Sequence, residues 1–112
     1  MKVAIIGSRS ITSYPLEDVV PPDATEIISG GARGVDQLAR EYAARHNLPC
    51  TEIRPDYRRY NRSAPLRRNE EIIARSDLVI AIWDGTSRGT AQVIERCNQL
   101  RKPLRIIQRQ NS

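Results

Sequence analysis

Short apolar runs along the chain alternate with segments in which apolar residues recur every three or four positions, a pattern that predicts parallel strands joined by helices. Five runs are predicted strands: Val3–Ile6, Glu26–Ser29, Cys50–Arg54, Leu78–Ile82 and Leu104–Ile107. The first and fourth are almost wholly apolar, as strands covered on both faces should be. Val35, Leu38, Ala39, Tyr42 and Ala43 share one helical face, and Thr90, Val93, Ile94, Cys97 and Leu100 share another. A third helix is predicted over 63–75, where Leu66, Ile72 and Ile73 follow Pro65, a residue suited to a first helical turn. A short helix is expected around Pro15–Val20, and 54–62 reads as a structured loop. The predicted product is an α/β fold, a three-layer Rossmann-like sandwich of five mostly parallel strands with helices on both faces, forming a single domain over residues 1–112.

Composition narrows the class. A chain of 112 residues has room for one ordinary core and not for two. With 39% hydrophobic and 28% charged residues it is neither a disordered tail nor a membrane-embedded protein by default. The apolar start at Val3–Ile6 is shorter than a signal peptide requires, and no run nears the ~20 apolar residues that span a bilayer, so a cytoplasmic protein without membrane contact is expected. Cys50 and Cys97 lie in different apolar patterns, which argues against a disulfide framework. No His, Cys or carboxylate set has metal-ligand spacing, so no metal is expected, nor is another cofactor; His46 has no Ser or Cys partner placed for catalysis and reads as a helix-terminal surface residue.

The net charge of +5 comes from 16 arginines and only 2 lysines set against 13 acidic residues. A guanidinium is a planar, permanent cation that matches phosphate at two points, which turns attention to phosphate-bearing partners; GC-rich coding produces the same excess.

In parallel sheets, ligands bind beyond the carboxyl ends of the strands. The unusual residues of this chain are concentrated there. After the first strand, Gly7 permits close backbone approach, Ser8 and Thr12 offer hydroxyls and Arg9 offers a fork. After the second, Ser29, Gly30, Gly31, Ala32, Arg33 and Gly34 lead into a helix through three glycines in five positions, a pattern that cradles anions on free N–H groups. The spacing is neither Gly-x-Gly-x-x-Gly nor the Walker lysine pattern. Asp36 either caps the helix or binds a ribose hydroxyl. After the fourth strand, Asp84, Gly85, Thr86, Ser87, Arg88, Gly89 and Thr90 open the last helix, with Trp83 ahead of them either to stack on a base or to hold the sheet end. Arg68 and Asn69, together with Arg67, are read as opening the third helix, where cations oppose the helix dipole and an anionic ligand would relieve them.

Four of these stretches in order, Gly7-Ser8-Arg9, Ser29 to Asp36, Arg68-Asn69 ahead of Ser76 to Ala81, and Trp83 to Thr90, resemble the SLOG superfamily over nearly the whole chain. That superfamily includes the DNA-processing protein A family, the Lonely Guy phosphoribohydrolases and small stand-alone domains related to the YspA and YpsA proteins, to which the likeness is strongest. The resemblance implies a modified Rossmann domain binding a nucleotide or nucleotide-derived ligand over these loops. In the phosphoribohydrolases a helix arginine and a glutamate act on the N-glycosidic bond of nucleoside monophosphates. Here Arg68 matches the arginine, but Val93 stands at the glutamate position. Glu95 follows two residues later, about 200° around the helix.

Three functions follow as expectations. The first is binding of a nucleotide-like small molecule, with its phosphate on the glycine-rich loops, by a homo-oligomer, a dimer. The second is hydrolysis of a nucleotide, with Asp84 or Glu95 as catalytic carboxylate. The third is weak DNA or RNA contact, for which Tyr57 and Tyr60 among Arg58, Arg59 and Arg62 are the local feature.

Overall fold

The computed structural model describes residues 1–109. Its centre is strand β1 (Lys2–Gly7). Because side chains alternate across a strand, Val3 and Ile5 enter one core while Ala4 and Ile6 enter the other, and an unbroken apolar run is what such a position demands. Strand β4 (Leu78–Trp83) divides its residues in the same way. Outside these lie β2 (Glu26–Ser29), β3 (Cys50–Glu52) and β5 (Leu104–Gln108), giving a sheet of order β3-β2-β1-β4-β5. Every pairing is parallel, so the sheet is wholly and not mostly parallel.

Helix α1 (Val35–Arg45) covers one face with Val35, Ala39, Tyr42 and Ala43. Beside it the β1–β2 connection contributes Ile11, Leu16 and Val20 to the same core. The short helix expected there is a single 3-10 turn, Leu16–Asp18. The other face carries α3 (Ala64–Arg75) through Ile72 and Ile73, and α4 (Arg88–Leu100) through Val93 and Cys97. Both cysteines are free. No helix among the described residues is long and apolar enough to cross a membrane.

Between β3 and α3 the chain is more regular than the loop predicted for 54–62. Tyr57–Tyr60 forms one helical turn, α2, with Asp56 Oδ1 accepting from Arg59 N at 3.2 Å, and Asn61–Ser63 continues as a 3-10 turn. None of these residues is buried, so no apolar periodicity marks them in the sequence. Strand β3 accordingly ends at Glu52 rather than Arg54.

The chain steps from β1 to β2 on one side of the sheet and returns past β1 to β4 on the other. The loops leaving β1 and β4 therefore diverge and open a crevice at the carboxyl edge, the place where open α/β sheets bind ligands.

Candidate functional site

That crevice is a cleft of about 500 Å³. Its floor is apolar, made by Ile6 and Ile72, two residues of the predicted apolar patterns, and by Val93, which stands at the glutamate position of the phosphoribohydrolases. Polar groups converge above the floor from the loops after three strands and from α3: Gly7, Ser8, Arg9 and Ser10 after β1; Gly30, Ala32 and Asp36 after β2; Asp84, Thr86, Ser87, Gly89 and Thr90 after β4; and Arg68 and Asn69 from α3.

Ser8 joins two of these loops. It is 1% exposed, its N–H donates to Ile82 O at 3.0 Å, and its Oγ both accepts from Asp84 N at 3.0 Å and lies 2.7 Å from Ser87 Oγ. Gly7 makes this approach possible, since a Cβ there would sit 2.2 Å from Ile82 O. Asp84 then organises its own loop. Oδ1 accepts from Thr86 N at 2.9 Å, Ser87 N at 2.8 Å and Thr86 Oγ1 at 3.2 Å, while Oδ2 accepts from Ser10 Oγ at 2.9 Å. The Thr86 and Ser87 N–H groups above all hold its carboxyl well below the usual carboxylate range. A carboxylate so satisfied is a poor base. Trp83 likewise serves the loop, its indole N–H donating to Ser87 O at 3.0 Å.

A depressed carboxyl pKa makes a contribution to stability that is complete above the unfolded value of 3.8 and is lost as pH falls below it toward the folded value. Asp84→Asn keeps an acceptor at Oδ1 and cannot titrate. The excess of wild-type melting temperature over this variant is expected to shrink as pH is lowered through that window, and a difference independent of pH in thermal melts would show that the charge is not what holds the loop.

The β2 loop is partly occupied from within the chain. Two of its N–H groups are engaged there: Asp36 turns back from the first turn of α1 and Oδ2 accepts from Ala32 N at 3.0 Å, while Gly31 N donates to Ser29 Oγ at 3.4 Å. Asp36 is thus the loop's internal anion. Burial pushes its carboxyl above the usual range, opposed by the Ala32 N–H and by the charge of Arg68.

Arg68 lies in the second turn of α3, which begins at Ala64, so the predicted conflict with the helix dipole does not arise. Its guanidinium instead reaches across the cleft. Nη1 donates to Gly30 O at 3.0 Å and Nε to Asn69 Oδ1 at 2.8 Å, and Asn69 Nδ2 passes the contact on to Gln92 Oε1 at 2.9 Å on α4. Among the described residues Arg68 has no ion-pair partner.

Helix α4 presents a different end to the cleft. No acidic residue occupies its first turn, its N-cap Ser87 makes no side-chain capping bond, and a Cβ on Gly89 would meet nothing within 4 Å. Its positive end therefore faces open space with Ser87, Gly89 and Thr90 along the rim.

Other residues chosen from the sequence lie elsewhere. Gly31 and Arg33 line a neighbouring hollow. Thr12, Ser29, Gly34, Gly85 and Arg88 line neither concavity, although Ser29 is buried and Gly34 is structural. Glu95 is exposed on α4 and accepts from Gln99 at 3.5 Å, whereas Val93 points into the cleft. Among the described residues no group of three or more His, Cys, Asp or Glu could hold a metal ion.

The family of YspA, cpYpsA-related SLOG proteins (YAcAr) has a model that matches residues 1–60, which carry the loops after β1 and β2 but not Arg68 or the α4 end. No curated protein and no solved structure matches the chain. With the match running over more than half of its length, the chain belongs to the YspA, cpYpsA-related SLOG family.

Proposed function

We propose that the protein binds a nucleotide in the cleft, with the phosphate at the amino end of α4 and Arg68 as its counter-cation. Membership of the SLOG family points to a nucleotide-related ligand, bound or processed. The observation that carries the reading is the unequal treatment of two helix ends facing one cleft. At α1 the chain supplies a carboxylate from within the first turn, Asp36, whereas the carboxylate ahead of α4, Asp84, is held by the Thr86 and Ser87 N–H groups of its own loop, and no acid occupies the first turn that opens on the cleft. A dianionic phosphate there meets a positive helix end, the Ser87 and Thr90 hydroxyls and a partly buried guanidinium. Binding is favoured over hydrolysis because Asp84 is committed to its loop and Glu95 lies outside the cleft.

Gly89→Asp tests the reading with two effects of opposite sign. A carboxylate in the first turn of α4 complements the dipole, by about 0.3–1 kcal/mol, so the unliganded variant is expected to melt no lower than wild type. The same carboxylate repels phosphate. In wild type, a nucleoside 5′-monophosphate at about 100 times its Kd adds about 2.7 kcal/mol. A thermal screen of the four ribonucleoside monophosphates is expected to find this stabilisation for at least one of them and to find it largely lost in Gly89→Asp. Equal stabilisation of both proteins would place the phosphate elsewhere.

A further inference from the structure

Beside the cleft lies a second hollow of about 390 Å³, and the two share Arg9 and Ala32 as a common wall. Four arginines line it: Arg9, Arg33, Arg40 and Arg54. Among the described residues a single carboxylate pairs with them, Glu52, which accepts from Arg40 at 2.9 Å and from Arg54 at 2.9 Å. Among the described residues Arg9 and Arg33 have no ion-pair partner. Cations crowded around a concave surface repel one another, and an anion seated among them removes that cost.

Position in the sheet decides what kind of anion fits. The proposed phosphate position lies beyond β4, and the hollow lies beyond β2 and β3, with β1 between. Two strand spacings make this separation on the order of 10 Å. Two phosphoryl groups joined through one oxygen cannot span it, whereas two groups on opposite ends of a ribose come far closer to doing so, and long arginine side chains close the remainder.

We propose that the hollow lined by Arg33 and Arg54 is a second anion subsite, and that the ligand is a nucleotide carrying a second phosphoryl group across its ribose from the first. The proposal rests on the cleft reading given above. Arg9, on the shared wall, lies between the two anions, and Gln37 adds a neutral donor at the rim of the hollow.

The test compares wild type with Arg33→Gln/Arg54→Gln, both changes being at exposed side chains. Each protein is titrated calorimetrically with the 5′-monophosphates, 5′-diphosphates and 3′,5′-bisphosphates of the four ribonucleosides. One or more bisphosphates are expected to bind wild type about tenfold more tightly than the matching monophosphate, as a second charge-assisted contact provides. The double variant is expected to lose that gain and keep its monophosphate affinity. The proposal is overturned if bisphosphates show no gain, if 5′-diphosphates gain as much, or if the double variant weakens monophosphates and bisphosphates alike. Absence of monophosphate binding in wild type would overturn the cleft reading itself, so the two failures are told apart by the monophosphate arm.

Discussion

Gly34→Ala is expected to destabilise the protein by about 3–5 kcal/mol, a large part of the roughly 5–15 kcal/mol by which a domain is stable. Gly34 is the N-cap of α1 with φ +70 and ψ −125, a combination open to glycine and strained for any residue with a Cβ, at about 1–3 kcal/mol. Strain is only part of the effect. The added Cβ would meet Ser8 O and Arg9 O, each at 2.5 Å, and backbone atoms cannot swing aside as a flexible side chain can. Ser8 O also accepts from Val35 N at 3.3 Å and Ile11 N at 3.3 Å, so relieving the clash means pulling the β1 loop off the start of α1. Urea denaturation should show a lower midpoint with an unchanged slope, since the surface exposed on unfolding stays the same. Gly89→Ala supplies the contrast, because a Cβ there meets nothing within 4 Å and alanine is the better helix former by about 1 kcal/mol. Stabilities within 1 kcal/mol of each other for the Gly34→Ala variant and wild type would show that the β1 loop yields and does not hold the helix.

The strands and the edge of the sheet that carries the site were readable because burial on both faces leaves a direct trace, an unbroken apolar run, in Val3–Ile6 and Leu78–Ile82. Residues 57–63 left no such trace, since their helical turns bury nothing. Glycines after strands marked loops that line the cleft and the adjoining hollow, and what occupies their N–H groups was not readable. The composition of the β2 loop suits an external anion as well as an internal one, and the return of Asp36 Oδ2 to Ala32 N is visible only in the folded chain. The Ser8–Ser87 contact joins positions 79 apart, and neither serine is unusual in its own segment. Arg33 and Arg68 carry the same side chain beside similar loops. Their separation into hollow and cleft is decided by which way their elements face, a property of the assembled sheet.

Arg68→Ala is expected to weaken nucleoside monophosphate binding by about 10- to 100-fold, the loss of one charge-assisted contact of about 1.5–3 kcal/mol, while the unliganded fold changes by about 1 kcal/mol. The asymmetry comes from the surroundings of the guanidinium. Burial disfavours its charged form, Asp36 only partly offsets this, and its hydrogen bonds within the chain go to neutral oxygens of Gly30, Asn69 and, at 3.5 Å, Ile53. A cation kept this way costs the empty protein about as much as it contributes, and its charge is used when an anion enters. Arg68→Lys keeps the charge but cannot hold Gly30 O and face a phosphate with one planar fork, so its affinity should fall between those of wild type and the alanine variant. A second readout separates charge from packing. Arg68 lowers the Asp36 pKa through space, so in Arg68→Ala the Asp36 carboxyl should titrate at higher pH than in wild type, as carboxyl chemical shifts would record, while Arg68→Lys should shift it less. Monophosphate affinity within twofold of wild type in Arg68→Ala, with Asp36 titrating higher, would leave Arg68 as a neighbour of Asp36 and remove it from the phosphate site.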